Sequence, residues 1–431
     1  MSTSHWLEAI LKTCLDLLDS RPDLDTLINF FGAAVPALRL LRTTPQDPEW
    51  HAEGDVHVHT QMVLDELYRA FDQGGLELSA ETQRVLVLGA LFHDVAKVWT
   101  TRRSEIRGVE RVVAPHHEAQ GRSTIAPVLV ETGLSWDAIW QVMGIVGCHQ
   151  EPKRLVVKDK PAGDYKALAR RVDPFLVSFF ERADMRGRTC SDLPLQLEHL
   201  DWFDLGMAEY APSGWLESWR AWFSDRLSNR STAVRDRVFG EAIRAAEAGR
   251  VNTPEEAEFL AYQERDEPPQ LVVLCGPSGS GKTTFIKNHL PDYEVVSMDD
   301  LREELAGERS DQSLNGAVRQ AAQAQLKAAL RPGRKVVWDA TSLRRDQRAM
   351  ICELGFTYRA LVTLVTFHLT QDEYSARNKV REHAVPQRVL DNQLLRWEYP
   401  DVQEAHRLLV VDDKGKTRGA FGFMNTPGFG D

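Results

Sequence analysis

From residue 55 to about residue 250, apolar side chains recur at intervals of three and four. VHTQMVLDELYRAF and TQRVLVLGALFHDVAKV each carry one apolar stripe with polar residues opposite. That period predicts amphipathic helices packed on one another, and helix is expected throughout the stretch. The tryptophan-rich segment from Trp202 to Phe223 reads as a further helix on this bundle. At Leu271 the rhythm changes. LVVLC, EVVSM, KVVWDAT and LVTLVTFHL are short runs rich in β-branched residues, separated by helical stretches. This alternation predicts a parallel sheet with crossover helices. The chain therefore reads as multidomain, an all-α bundle followed by an α/β domain.

Breaks in the pattern set the expected boundaries. TTPQDPEWHAE, from Thr43 to Glu53, interrupts the helices, and the charged stretch from Gly249 ends in Pro268-Pro269. From Asp412 the chain is glycine-rich and shows neither period. We assign 1–250 to a helical domain, 251–270 to a linker, 271–411 to the α/β domain and 412–431 to a glycine-rich tail whose end is expected to be poorly ordered.

Composition excludes several classes. A net charge of −11 argues against a protein that coats nucleic acid, because neutralising phosphates drives such binding. The five scattered cysteines form no CxxC pair and predict a reduced, cytoplasmic chain without a disulfide framework. MSTSHWLEAILKTCLDLLD is helix-like but lacks the basic start and cleavage site of a signal peptide. No apolar run approaches the length of a membrane span, so no membrane partner is expected.

GPSGSGKT, Gly276 to Thr283, fits GxxxxGK[ST] between an expected strand and an expected helix. Gly276, Gly279, Ser280, Gly281, Lys282, Thr283 and Thr284 are the expected nucleotide-binding set. Backbone N–H groups of such a loop cradle phosphate oxygens at the positive end of the helix. Lys282 reaches the β/γ-phosphates and Thr283 holds Mg²⁺. The motif implies ATP or another nucleoside triphosphate with Mg²⁺, but no acceptor. The second strand ends in Ser297-Met298-Asp299-Asp300-Leu301-Arg302. At the carboxyl edge of the sheet, Asp299 can take a hydroxyl proton or cap the next helix, a job for which Asp300 competes. Arg302, one turn on, can grip an acceptor phosphate. Asp339 closes the third strand and suits Mg²⁺ or the orientation of a cation. Arg377 and Arg381 share one helix face and can stabilise the transferring phosphoryl group, or simply meet solvent.

These ordered motifs, with DATSL after the third strand and RNKVREHAVPQRVL from Arg377 to Leu390, resemble the polynucleotide 5′-hydroxyl kinase family. The resemblance covers about Leu271 to Val410. It implies Asp299 as general base, Arg302 as the clamp on the acceptor nucleotide's 3′-phosphate, Arg377 and Arg381 as lid arginines, and Asp339 at the substrate side.

In the helical half, His59, His93-Asp94, His117, His149 and Asp184 occur in that order. Imidazoles and carboxylates gathered from several helices suit divalent transition metals such as Mn, Co, Ni, Zn or Fe. Two such ions clamp a phosphoester and activate water between them. Any one of these histidines alone is more often a satisfied core or surface residue than a ligand, and His57 and His116 are taken as bystanders. The ordered set resembles the HD phosphohydrolase superfamily. That resemblance implies one metal on His59, His93, Asp94 and Asp184, a second completed by His117 and His149, a catalytic role for Asp94, and a metal-site core over about 55–190. Lys97, one turn after His93, is expected to contact phosphate.

Together the halves resemble the bifunctional HD–polynucleotide kinase family. This implies 5′-phosphorylation of RNA or DNA ends plus removal of a 2′,3′-cyclic or 2′/3′-phosphate. No KxDG-type ligase motif is present, so a separate ligase is expected. Two rivals stay open. One is a small-molecule kinase fused to an HD nucleotidase; the other is a signalling protein whose helical half binds ligand without turnover.

Overall fold

The computed structural model describes residues 12–73, 77–262, 267–308, 313–381 and 383–424. It divides into two compact units, Met1–Ser213 and Gly214–Asp431.

In the first unit, residues 12–19 form a helix (α1). It is followed by α2 (Leu24–Phe31), α3 (Val56–Asp72), α4 (Ala80–Phe92) and the short α5 (Lys97–Thr100). A hairpin of β1 (Arg102–Ile106) and β2 (Val109–Val113) precedes α6 (His117–Leu129), α7 (Trp136–Cys148), α8 (Glu151–Val157), α9 (Ala162–Arg171), α10 (Pro174–Arg186) and α11 (Leu193–Tyr210). The central helix is α4. Its second half, Val85 to Phe92, is buried on every side, as expected of a helix surrounded by others. Ser79 starts it by accepting from the Thr82 amide, a standard N-cap.

The hairpin corrects the expectation of helix throughout. Arg107 and Gly108 have φ of 53° and 79°, the two positive values of a tight type I′ connection. Ile106 pairs with Val109 across it.

In the second unit, α12 (Trp215–Arg226), α13 (Thr232–Glu247) and the single turn α14 (Phe259–Tyr262) precede the sheet. Six strands follow: β3 (Gln270–Cys275), β4 (Glu294–Ser297), β5 (Lys335–Asp339), β6 (Leu361–Phe367), β7 (Arg407–Val411) and β8 (Thr417–Phe421). Their order is β4-β5-β3-β6-β7-β8. All neighbours run parallel except β8, which is antiparallel to β7. The crossovers are α15 (Lys282–His289), α16 (Met298–Ala306), α17 (Asn315–Leu330), α18 (Arg345–Thr357), α19 (Gln371–Lys379) and α20 (Gln387–Leu395). Every residue of β6 and β7 is buried, which explains their unbroken apolar runs.

Two further expectations are corrected here. The boundary falls at residues 213/214 instead of 250, because α13 packs on β6 and is tied to β7. Asp236 of α13 lies 2.7 Å from Arg407, and both are buried. Trp215 and Trp219 of α12 accordingly belong to this unit. The expected tail supplies β8, whose register breaks by a bulge between Val410 and Val411; residues 425–431 lie outside the described residues. Among the described residues no helix is long and apolar enough to cross a membrane.

Candidate active sites

In the second unit the carboxyl ends of β3, β4 and β5 open onto one cavity of about 820 Å³. It is lined by Gly279, Gly281, Lys282, Thr283, Thr284, Asp299, Arg302, Asp339, Arg377 and Arg381, all expected from sequence. Gly276 and Ser280 are not among its lining residues; they shape the loop beneath. Gly279 and Gly281 have φ of 82° and 99°, where a side chain is strained. A Cβ on Gly279 would also stand 2.8 Å from the Tyr374 carbonyl oxygen. The loop thus lies directly against α19.

Lys282 donates to the Gly276 and Pro277 carbonyl oxygens at 2.8 and 2.9 Å. Burial pushes its ammonium down to about 8, with Asp339 pulling the other way. Burial also raises the Asp339 carboxyl, and Lys282 opposes that shift. Arg377 donates to the Ser280 and Asp413 carbonyl oxygens, which joins α19 to the loop. The helix N-cap is Ser297, which accepts from the Asp300 amide. Neither Asp299 nor Asp300 performs the capping role that competed with general-base chemistry. Asp299 instead accepts from Arg302 Nη1 at 2.6 Å.

Several contributors were not read from sequence. Asn315 accepts from Arg302 Nε at 3.4 Å and lines the cavity with Arg319 and Gln347. Asn315 and Arg319 are four apart on α17, a spacing that puts them on one face, but no motif marks them. Asn378 clamps the turn after α19, giving to the Val385 carbonyl at 2.7 Å and accepting from its amide at 3.1 Å.

In the first unit, helix ends bring the six expected ligand-type residues together, each 3% exposed or less. His59 lies in the first turns of α3 and Asp184 near the end of α10. His93 and His149 are the C-caps of α4 and α7, and His117 opens α6. Asp94 sits between two pairs of rings. Its Oδ2 is 3.2 Å from His93 Nε2 and 3.8 Å from His59 Nε2. Its Oδ1 is 3.1 Å from His117 Nε2 and 3.9 Å from His149 Nε2. Asp184 Oδ1 is 2.9 Å from His59 Nε2 and 4.0 Å from His93 Nε2.

The outer ring nitrogens determine what the inner ones can be. Nδ1 of His93, His117, His149 and His59 meets the carbonyl oxygens of Ala90, Ala114, Val146 and Gly187 at 2.8, 2.7, 3.1 and 3.1 Å. A carbonyl only accepts, so each Nδ1 carries the proton and a neutral ring turns a bare Nε2 inward. Facing Nε2 atoms lie 3.3 Å apart in both the His59–His93 and the His117–His149 pair. Neither Asp94 oxygen has a well-directed hydrogen bond, although the Lys97 ammonium is 2.7 Å from Oδ2. Lone pairs thus converge in two groups, His59–His93–Asp184 and Asp94–His117–His149. Lys97 and Arg188 meet the carboxylates of Asp94 and Asp184; the inward imidazole lone pairs call for cations, and two groups bridged by one carboxylate fit two ions.

Second-layer contacts escaped the sequence reading. Glu53 accepts from His51 at 2.8 Å and from the Thr189 amide at 2.8 Å, and lies 3.2 Å from His59 Nδ1. Arg188, one turn after Asp184, holds that carboxylate. A cavity of about 450 Å³ opens over the cluster, lined by His117, Lys97, Lys153, Arg188 and Trp50 among others. Lys97 lines it while also donating to Gln46 at 2.7 Å. His57 pairs with Asp25 at 2.9 Å and His116 sits exposed at the start of α6, both apart from the cluster.

Residues 271–400 match the family model described as an AAA domain. The second unit therefore contains a P-loop kinase-type domain, for which nucleotide and Mg²⁺ are implied. The match spans less than a third of the chain and does not bear on the helical unit. No curated protein matches the chain.

Proposed function

We propose that this chain heals broken nucleic-acid strands. The P-loop kinase-type domain phosphorylates 5′-hydroxyl ends of RNA or DNA. The helical unit, read as an HD-type phosphohydrolase, hydrolyses 2′,3′-cyclic or 2′/3′-phosphate ends. The observation that carries the acceptor assignment is the Asp299–Arg302 pair, 2.6 Å apart, in the cavity that also holds Lys282, Arg377 and Arg381.

In the kinase step the 5′-oxygen forms a bond to the γ-phosphorus and the bond to the β–γ bridging oxygen breaks. The 5′-hydroxyl proton passes to Asp299, and the nucleoside diphosphate leaves. Lys282 leaves the loop carbonyls for the β/γ-phosphates, and Arg377 and Arg381 face the charge that develops. Thr283 and Asp339 would hold Mg²⁺, which neutralises phosphate charge when bound.

In the helical unit the two ligand groups would hold divalent transition metals, which lower the pKa of a bound water and polarise the phosphoester. Water oxygen joins phosphorus, the bond to one ribose oxygen breaks, and that oxygen leaves as a hydroxyl with the proton that water gives up. Lys97, Lys153 and Arg188 line the cavity, and in this reading they bind the phosphate oxygens. Sealing the two ends falls to a separate ligase.

The test uses γ-labelled ATP, Mg²⁺ and matched 5′-OH RNA and DNA oligonucleotides, with free nucleosides as competitors. Label at the 5′ end supports the reading. Competition by nucleosides, or no labelling of either polymer, sinks it in favour of a small-molecule kinase.

A further inference from the structure

Two cavities of the helical unit share a wall. The one over the ligand cluster adjoins a second of about 330 Å³ that is lined by Arg102 and Arg103 of β1. Pro45, Thr101 and Val112 line both. A chain molecule with its end at the cluster can continue past Thr101 and Val112 to the start of β1, where Arg102 and Arg103 line the second cavity.

The charge of the hairpin favours an anionic occupant. The hairpin itself carries four arginines, Arg102, Arg103, Arg107 and Arg111, and two carboxylates, Glu105 and Glu110, within a chain whose net charge is −11. Arg111 is engaged by Asp47 and Glu49, and Asp47 also accepts from the Val112 amide at 3.0 Å. These bonds fix the base of the ribbon beside the cavity. Arg103 pairs with Glu110 at 2.8 Å, but the two side chains are 73% and 64% exposed. Such a pair contributes little and exchanges readily for phosphate. Arg102 forms no ion pair among the described residues.

We infer that Arg102 and Arg103 form a subsite for backbone phosphates just 5′ of a strand's 3′ end. The helical unit then acts on polynucleotide ends in preference to mononucleotides. The inference rests on reading the ligand cluster as a phosphoesterase centre. Backbone contacts position a strand without reading its bases, so the subsite accepts any sequence.

The test compares the full chain with its R102A/R103A and R102K/R103K variants. Substrates are a nucleoside 2′,3′-cyclic phosphate and a short oligonucleotide ending in the same group. Wild type favours the oligonucleotide in kcat/KM by about tenfold or more, as expected of two charge-assisted contacts. R102A/R103A loses that preference and keeps mononucleotide turnover, and R102K/R103K retains most of both. Binding is read separately on metal-free protein by fluorescence anisotropy, with a 3′-phosphorylated oligonucleotide whose 5′ end carries the dye. The slope of log Kd against log salt falls by about 1.4 in R102A/R103A, since each single-strand phosphate contact contributes about 0.7. A wild type without preference, or an alanine variant with preference and slope intact, overturns the subsite. A wild type that hydrolyses neither ester overturns the phosphoesterase reading and the subsite with it.

Discussion

Arg302 and Asp299 lie on one face of α16, with Nη1 of the arginine 2.6 Å from Oδ1 of the aspartate. An acceptor phosphate would draw the guanidinium away and free the carboxylate beside the incoming hydroxyl. Asp299→Ala should therefore lower kcat by about 10²–10⁴, the usual contribution of a positioned base. Arg302→Ala should chiefly raise the KM for the oligonucleotide, and more for an acceptor whose first nucleotide carries a 3′-phosphate. Steady-state kinetics with and without that phosphate separate the two roles. Equal effects of Arg302→Ala on both acceptors would reject the clamp.

Asp94 sets the metal prediction. With one oxygen toward His93 and the other toward His117, it stands between the two ligand groups. Asp94→Ala should reduce bound metal to less than half of the wild-type content, measured by inductively coupled plasma mass spectrometry. Release of phosphate from 3′ ends should disappear. Kinase activity should stay within about twofold, because effects at separate sites are nearly independent. Joint loss of both activities would contradict separate centres.

Nucleotide affinity should depend on alkaline pH. Burial lowers the Lys282 ammonium to about 8, and the charged form is the one that binds phosphates. Affinity is therefore complete below that value and falls as pH rises through it. Kd for ATP should weaken by about tenfold between pH 7 and 9, following the loss of the proton. Isothermal titration calorimetry at the two values checks this. Lys282→Arg, which keeps its charge, should lose the dependence.

Much of both sites was legible because their chemistry dictates local geometry. A phosphate-cradling turn needs Gly279 and Gly281 at positive φ, and those glycines are visible in any sequence. The six ligand-type residues were readable as an ordered set, each near a helix end. Glu53 and Arg188 were not, since a loop carboxylate and a surface-type arginine carry no motif until the fold brings them to His59 and Asp184. The Arg107-Gly108 turn was a readable hairpin signal that the helical expectation overrode. Assignment of α13 had no local signal. Its apolar stripe of Val234, Val238 and Ala242 suits a bundle or a sheet equally, and the choice is made by Asp236 meeting Arg407.

The loop after β5 rests on a buried ion pair, which gives the last prediction. Arg348 is fully buried and meets both oxygens of Glu404, at 2.6 and 2.9 Å. Its remaining nitrogen donates to the Ser342 and Leu343 carbonyl oxygens at 3.0 and 2.9 Å. Ser342 has φ of 43° and lines the kinase cavity, so the pair holds a strained turn at the catalytic edge. Removing one partner leaves an uncompensated buried charge. Glu404→Ala should cost about 3–5 kcal/mol, whereas a paired apolar replacement, R348M/E404L, should cost much less. Native-state hydrogen exchange of the β5 amides reports this locally, free of the helical unit's own unfolding. Kinase activity should fall in R348M/E404L, where the two carbonyls of the turn lose their donor, and less in Glu404→Ala, where Arg348 keeps its Nη1 but loses the carboxylate that orients it. An exchange rate unchanged in Glu404→Ala would show that the turn holds without the pair.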